Sequence, residues 1–283
     1  MLVFKVMGGL GNQLFQYAFA RRLSLLSGVP FRLDVTGFRK YKLHDYALHK
    51  FNIAENIAGP TELMRTKTWY FADKWLGFGA GRSVVEQGLG YDSSFVRKCA
   101  GGYFRGYWQS ARYFEGIEDQ LRREITLKEA MDAFGERTLE KMAAAANPVS
   151  LHVRRGDYVS DGETNRIHGL CSIEYYRAAV ERVAEKSGDP TLFVFSDDID
   201  WAKGNLDLGF PTVFMDSGGA AKKHQDLVLM SRCRNHIIAN STFSWWGAWL
   251  NANPEKVVVA PSRWFKTEQR DASTLVPEGW IRI

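Results

Sequence analysis

The sequence predicts a doubly wound α/β protein with parallel sheets covered on both faces. Through the second half of its 283 residues, short apolar runs of strand length alternate with longer runs of helical period. The chain also opens on a strand, a glycine loop and a long amphipathic helix. Finally, polar residues gather where apolar strands end, at Arg154, Ser196 and Asn240, and such ends are where open α/β sheets hold ligands.

The elements follow in order. Leu2 to Val6 is an apolar strand, Gly8-Gly-Leu-Gly-Asn-Gln13 a glycine loop, and Leu14 to Ser27 a helix with Phe15, Ala18, Phe19 and Leu23 on one face. Phe31-Arg-Leu-Asp34 is a second strand. From Val35 to Gly102 the text is harder to read. The polar, aromatic stretch Tyr41 to Phe51 and the glycines of Gly77 to Gly90 suggest irregular segments over a sheet edge. Gly102 to Trp108 alternates as a strand, Tyr113 to Glu124 reads as a helix, and Lys128 to Ala146 as another. Asn147-Pro148 then marks the expected domain boundary, giving 1–147 and 148–283. Beyond it, strands are expected from Val149, at Thr191 to Phe195, Thr212 to Met215, Asn235 to Ala239 and Lys256 to Ala260. Helices are expected at Ser172 to Lys186, Lys223 to Arg232 and after Asn240.

Composition sets the bounds. With 45% hydrophobic and 24% charged residues the chain is globular and not disordered. A formal charge of +5 favours anionic ligands, yet the basic residues form no polybasic block, so nucleic acid is not an expected partner. Cys99, Cys171 and Cys233 are far apart and show no metal-ligand spacing, which suits a reducing compartment. No His pair has metal spacing and the acids form no metal-binding loop, so the spacing predicts no metal site. Without a signal-like n-region or an apolar run of spanning length, the expected location is cytoplasmic. Peripheral attachment at the inner face of the cytoplasmic membrane stays open, as does the oligomeric state.

Four constellations carry chemistry. In Val149-Ser-Leu-His-Val-Arg-Arg-Gly-Asp-Tyr158, Val149, Leu151 and Val153 point one way and Ser150, His152 and Arg154 the other. A plain reading is an edge strand whose Arg154 pairs with a carboxylate such as Asp157. The alternative is an anion site in which Arg154, Arg155 and Gly156 meet a phosphate at the strand's carboxyl end. Ser196-Asp-Asp198 ends a second strand and could simply cap a helix. Asn240-Ser-Thr242, before Phe243, could cap another, or offer hydroxyls and N–H groups to a diphosphate. Asp226 is the polar member of an apolar helix face. In the first loop, Gly9 and Gly11 fit part of a dinucleotide fingerprint. Leu14 stands where a third glycine belongs, and Asp34 lies where an acid would hold a ribose. A nicotinamide-dependent oxidoreductase is therefore one alternative, and a non-catalytic glycan- or nucleotide-binding module another.

His152-Val-Arg-Arg-Gly-Asp-Tyr158 resembles the first motif of fucosyltransferases that use GDP-fucose. Together with Gly8-Gly-Leu-Gly-Asn-Gln-Leu-Phe-Gln-Tyr-Ala18 and Ser241-Thr-Phe-Ser-Trp-Trp-Gly247, the chain is similar to the α-1,2-fucosyltransferases of glycosyltransferase family 11. The resemblance implies a GT-B fold of two Rossmann-like domains facing across a cleft, the first for the acceptor and the second for GDP-fucose. It implies inverting, metal-independent transfer of L-fucose to the 2-hydroxyl of a β-galactoside, with no other cofactor, in synthesis of a surface glycan or O-antigen. It also implies Arg154, His152 and Asn12 as catalytic residues. Gly9, Gly11, Arg155, Asp197, Asp226, Ser241, Thr242 and Phe243 would bind the donor. The general base stays open between His152 and Asp157.

Overall fold

The computed structural model describes residues 1–40, 43–66, 68, 83–88, 90–97, 101–156, 159, 162, 166–167, 169–218, 222–266 and 272–283. Asp157, Tyr158, Cys99 and most of the Ser160 to His168 loop lie outside these residues. The chain divides into two compact units: Met1–Lys128 with Asp271–Pro277, and Glu129–Arg270 with Glu278–Ile283.

The first unit is built on β1 (Leu2–Lys5), α1 (Leu10–Ser27), β2 (Phe31–Asp34), β3 (Ser83–Val85), α2 (Ser93–Arg97), β4 (Gly102–Arg105) and α3 (Glu118–Glu124). Its strands pair in parallel in the order β2-β1-β4-β3. Parallel strands are covered on both faces, so β1 is nearly all apolar, and Leu2, Val3 and Phe4 are fully buried. The Phe4 and Phe104 rings stack with centroids 4.5 Å apart, and Phe19 of α1 packs edge-on against Phe4. Gly28, in the left-handed region at φ 67°, ends α1. The returning segment is tied in where Tyr91 N donates to Thr274 Oγ1 and Ser110 Oγ to the Thr274 carbonyl (both 2.9 Å).

Three details differ from expectation. α1 starts at Leu10, so Gly11, Asn12 and Gln13 lie in its first turn and not in a loop. The helix expected over Tyr113 to Glu124 is a 3-10 turn at Ala111–Phe114 and then α3, separated by Gly116 at φ 82°. β3 lies within a stretch expected to be irregular.

The second unit comprises α4 (Ala133–Ala144), β5 (Pro148–Val153), α5 (Ile173–Ser187), β6 (Thr191–Ser196), α6 (Ile199–Asn205), β7 (Thr212–Phe214), α7 (Lys223–Arg232), β8 (Asn235–Ile237), α8 (Thr242–Leu250), β9 (Val258–Ala260) and β10 (Ile281–Arg282). All strand pairs are parallel, in the order β10-β9-β8-β5-β6-β7. The chain runs outward from β5 through β6 and β7, then returns to β8 on its other side. The strand order therefore reverses between β5 and β8, which makes a topological switch point there.

The alternation along β5 holds. Val149, Leu151 and Val153 pack with Tyr176, Val180 and Val183 of α5, while Ser150 and His152 occupy the other face. There Ser150 Oγ lies 2.8 Å from His236 Nδ1, and Asn251 Nδ2 donates to His236 Nε2 at 2.8 Å. Burial, with repulsion from Lys256, pushes His236 down to about 3 and keeps it neutral. The boundary expected at Asn147-Pro148 is corrected to Lys128/Glu129. α4 belongs to the second unit because Phe134, Leu139 and Met142 pack with Leu229 and Met230 of α7. No helix among the described residues is long and apolar enough to cross a membrane.

Candidate active site

β5 is a central strand, so the edge-strand reading of Arg154 fails. At its carboxyl end the chain turns at Arg154-Arg155-Gly156, next to the end of β6. Arg154 Nη1 sits 2.8 Å from Asp197 Oδ2, and both side chains are mostly buried, at 16% and 14% exposure. Asp197 Oδ1 accepts the Arg155 N–H at 2.8 Å. Burial alone would raise the Asp197 carboxyl. The Arg154 guanidinium and the N–H groups of Arg155 and Gly156 outweigh that, and the carboxyl is held below the usual range. A Cβ at Gly156 would stand 2.6 Å from Asp197 Oδ2, so this turn closes only around glycine.

Arg155 takes the opposite course. Its Nε pairs with Asp198 Oδ2 at 3.2 Å, and its guanidinium lies 3.8 Å above the Trp201 ring. Asp198 also caps α6 by accepting the Trp201 N–H, and Ser196 Oγ accepts the Asp198 N–H at 3.0 Å. The capping reading of Ser196-Asp-Asp198 is therefore correct. Both carboxylates are engaged by arginines, and Asp197 orients Arg154 and the turn.

His152, on the face of β5 opposite Leu151, is buried, and its ring lies 5.5 Å from that of Phe243. Its Nδ1 is buried with no hydrogen-bond partner among the described residues. Burial, with repulsion from Arg154 and Lys223, outweighs attraction to Asp197 and keeps the imidazole neutral. Across the switch point, β8 leads to Asn240-Ser-Thr242. Ser241 stands at the N-cap of α8 with extended backbone, yet its hydroxyl makes no capping bond. The first turn of α8 thus keeps N–H donors and a hydroxyl at the site, beside Thr242 and Phe243. The helix behind is fixed by Trp245 and Trp246, both fully buried, and by Gly247, where a Cβ would meet Met230 Cβ at 2.9 Å.

Asp226, the polar member of the apolar face of α7, keeps one carboxylate oxygen out of solvent. One oxygen accepts from Ser217 Oγ at 3.0 Å, and the other is buried with no partner among the described residues. Burial, with Asp132 nearby, raises its carboxyl to about 7 against the pull of Ser217, Lys223 and Lys222. Among the described residues, no group of three or more His, Cys, Asp or Glu side chains is placed to hold a metal ion.

Asn12, Gly9 and Gly11 belong to the first unit, at the carboxyl end of β1. Gly9 is the N-cap of α1, and Gly8 before it has φ +79°. Gln13 is committed to structure, donating to the Gly8 and Asp45 carbonyls and accepting from Ala47 N. Asn12 Oδ1 accepts from Gln109 Nε2 at 2.7 Å. Gln109 was missed in the sequence; its only signal there is a polar residue just past a strand end. Asp34 is consumed locally, accepting from Thr36 N, Thr36 Oγ1 and Tyr103 OH at 3.0, 2.6 and 2.7 Å. It is 1% exposed and cannot serve as the ribose acid that the oxidoreductase alternative required.

The family model for glycosyl transferase family 11 matches residues 89–283. The chain belongs to glycosyltransferase family 11. It is 35% identical over 298 residues to an α-1,2-colitosyltransferase of Escherichia coli, covering 100% of this chain and 99% of that relative. It is also 26% identical over 290 residues to galactoside α-(1,2)-fucosyltransferase 1 of Rattus norvegicus, covering 98% of this chain and 71% of the relative. The structure is similar to that of FUT1 from Arabidopsis thaliana in complex with GDP. The TM-score is 0.52 at 11% identity, over 98% of this chain and 74% of that one. That likeness concerns the fold alone, and the fold of this family 11 chain is the GT-B type.

Proposed function

We propose that this family 11 enzyme transfers L-fucose from GDP-β-L-fucose to the 2-hydroxyl of a β-galactoside, with inversion and without a metal ion, in assembly of a surface glycan or O-antigen. The observation that carries the reading is Arg154, held by Asp197 at the carboxyl end of β5 beside the switch point. A guanidinium fixed in that way suits the bridging of two phosphate oxygens.

In the reaction, the bond between the anomeric carbon and the β-phosphate oxygen breaks and its electron pair leaves with GDP. The acceptor oxygen bonds the opposite face of that carbon and passes its proton to a base, for which His152 and Asp157 are the candidates in the sequence. Negative charge grows on the leaving phosphate, where Arg154 and the N-terminus of α8 would stabilise it. His152 stays neutral, so it adds no competing charge beside Arg154. Arg155, engaged by Asp198 and Trp201, holds the turn.

The 35% identity to an α-1,2-colitosyltransferase supports a second donor, GDP-L-colitose. The test supplies GDP-L-fucose and GDP-L-colitose separately with a panel of β-galactosides, and determines product linkage by NMR. An α-1,2-linked product from the fucosyl donor is expected. Transfer from GDP-colitose alone would replace the donor assignment, and transfer from neither would overturn the reading.

A further inference from the structure

The first unit carries a polar arrangement that the diphosphate chemistry of the second does not use. Gln109 Nε2 donates to Asn12 Oδ1 at 2.7 Å. Among the described residues no hydrogen bond takes up the Asn12 Nδ2 donor or the Gln109 Oε1 acceptor. A phosphate only accepts hydrogen bonds, and Oε1 would repel it. A hydroxyl both donates and accepts, so a donor beside an acceptor matches one hydroxyl or two adjacent ones.

The chain holds this amide pair at some cost. Trp108, just before Gln109, has φ 56°, a left-handed conformation that a bulky residue adopts only when its surroundings impose it. The surroundings are Glu86, whose carboxylate accepts Tyr107 N at 2.6 Å and Trp108 N at 3.0 and 3.2 Å, and a closed aromatic pocket. The fully buried indole lies 4.9 Å from Phe19, 5.0 Å from Phe95 and 5.6 Å from Tyr113. On the other side, a Cβ on Gly8 would stand 2.6 Å from Asn12 Nδ2, and Gly8 itself has φ +79°. A strained tryptophan and a positive-φ glycine thus converge on one amide pair.

We propose that Asn12 and Gln109 form a sugar-hydroxyl site, in which Gln109 both accepts from the sugar and turns the Asn12 amide so that its N–H₂ faces the ligand. This rests on the glycosyl-transfer reading. The sugar is either the donor's or the acceptor's, since both present hydroxyls.

The experiment compares wild type with Gln109→Glu, which cannot donate to Asn12 Oδ1, and with Gln109→Asn as a milder variant should the first fail to fold. KM is measured separately for GDP-L-fucose and for a β-galactoside, and GDP affinity by calorimetry. Saturation-transfer NMR with methyl β-D-galactoside and with L-fucose reads binding without turnover. A rise of tenfold or more in KM for one sugar substrate is expected, with the matching NMR signal weakened and GDP affinity unchanged. The acceptor arm or the donor arm responding identifies which sugar is read. Unchanged KM and NMR binding for both sugars, or a loss of GDP affinity equal to the loss of rate, would overturn the proposal. Failure of wild type to transfer sugar would count against the glycosyl-transfer reading, while the NMR arm would still decide this site.

Discussion

Asp197→Asn isolates the residue on which the strand-end geometry turns. The substitution keeps the shape and removes the charge that faces Arg154 at 2.8 Å and accepts the Arg155 N–H at 2.8 Å. Breaking a fully buried ion pair from one side costs about 3–5 kcal/mol. Arg154 is still 16% exposed, and asparagine keeps one acceptor oxygen, so a loss of about 2–3 kcal/mol is expected. The control is Asp198→Asn. Asp198 is 39% exposed, and asparagine caps a helix about as well as aspartate, so its loss should stay below about 1 kcal/mol. Urea unfolding at pH 7 measures both. The same wild-type pair predicts a pH dependence. The folded Asp197 carboxyl is depressed, so its contribution is complete above the unfolded carboxylate range and fades as pH falls toward the folded value. If the two variants lost the same small amount, Asp197 would not be what holds Arg154 and its turn.

Three further outcomes are expected. Burial, against the pull of Tyr107 N and Trp108 N, raises the Glu86 carboxyl from 4.5 to about 7. The folded state therefore binds the extra proton at this group between those values, and the contribution of Glu86 to stability falls as pH rises through that window. Glu86→Gln should flatten that fall in urea melts taken across it, and an unchanged slope would contradict the assignment. Asn12→Ala should lower turnover far more than GDP affinity, because Asn12 belongs to the first unit and the arginines to the second; calorimetry showing GDP binding lost in step would move the nucleotide. Transfer should survive EDTA, since Asp197 and Asp198 are engaged by arginines; activity lost on chelation and restored by magnesium or manganese would make those carboxylates metal ligands.

Much of this was legible in the sequence, because periodicity reports which face of an element is buried. The alternation along Val149 to Val153 gave the face of His152 correctly, and the strand-end positions of Asp197 and Ser241 followed from the βαβ rhythm. What stayed hidden depends on contacts between distant segments. Ser83-Val-Val85 is too short to stand out among glycines, and only its pairing with β4 makes it a strand. The unit boundary falls at Lys128 because α4 packs on α7, which no local pattern records. Asp157, the nearby carboxylate, lies outside the described residues, and the pairing of Arg154 with Asp197 at the end of the next strand is a contact between distant segments. Gln109 went unnoticed because its meaning lies in its bond to Asn12, joining two strand ends of the first unit.

The most direct test of the account is the turnover of Arg154→Lys beside that of Arg155→Lys, with GDP-L-fucose and a β-galactoside acceptor. Lysine keeps the charge but loses the planar fork that can hold two phosphate oxygens. Arg154→Lys should fold normally and lose on the order of a hundredfold or more in kcat, as when one oxyanion donor is removed. Arg155→Lys gives up its stacking on Trp201, so it should be less stable, by about 1 kcal/mol, and much milder in rate. Near-normal rates for both would contradict the claim that Arg154 clamps the leaving diphosphate.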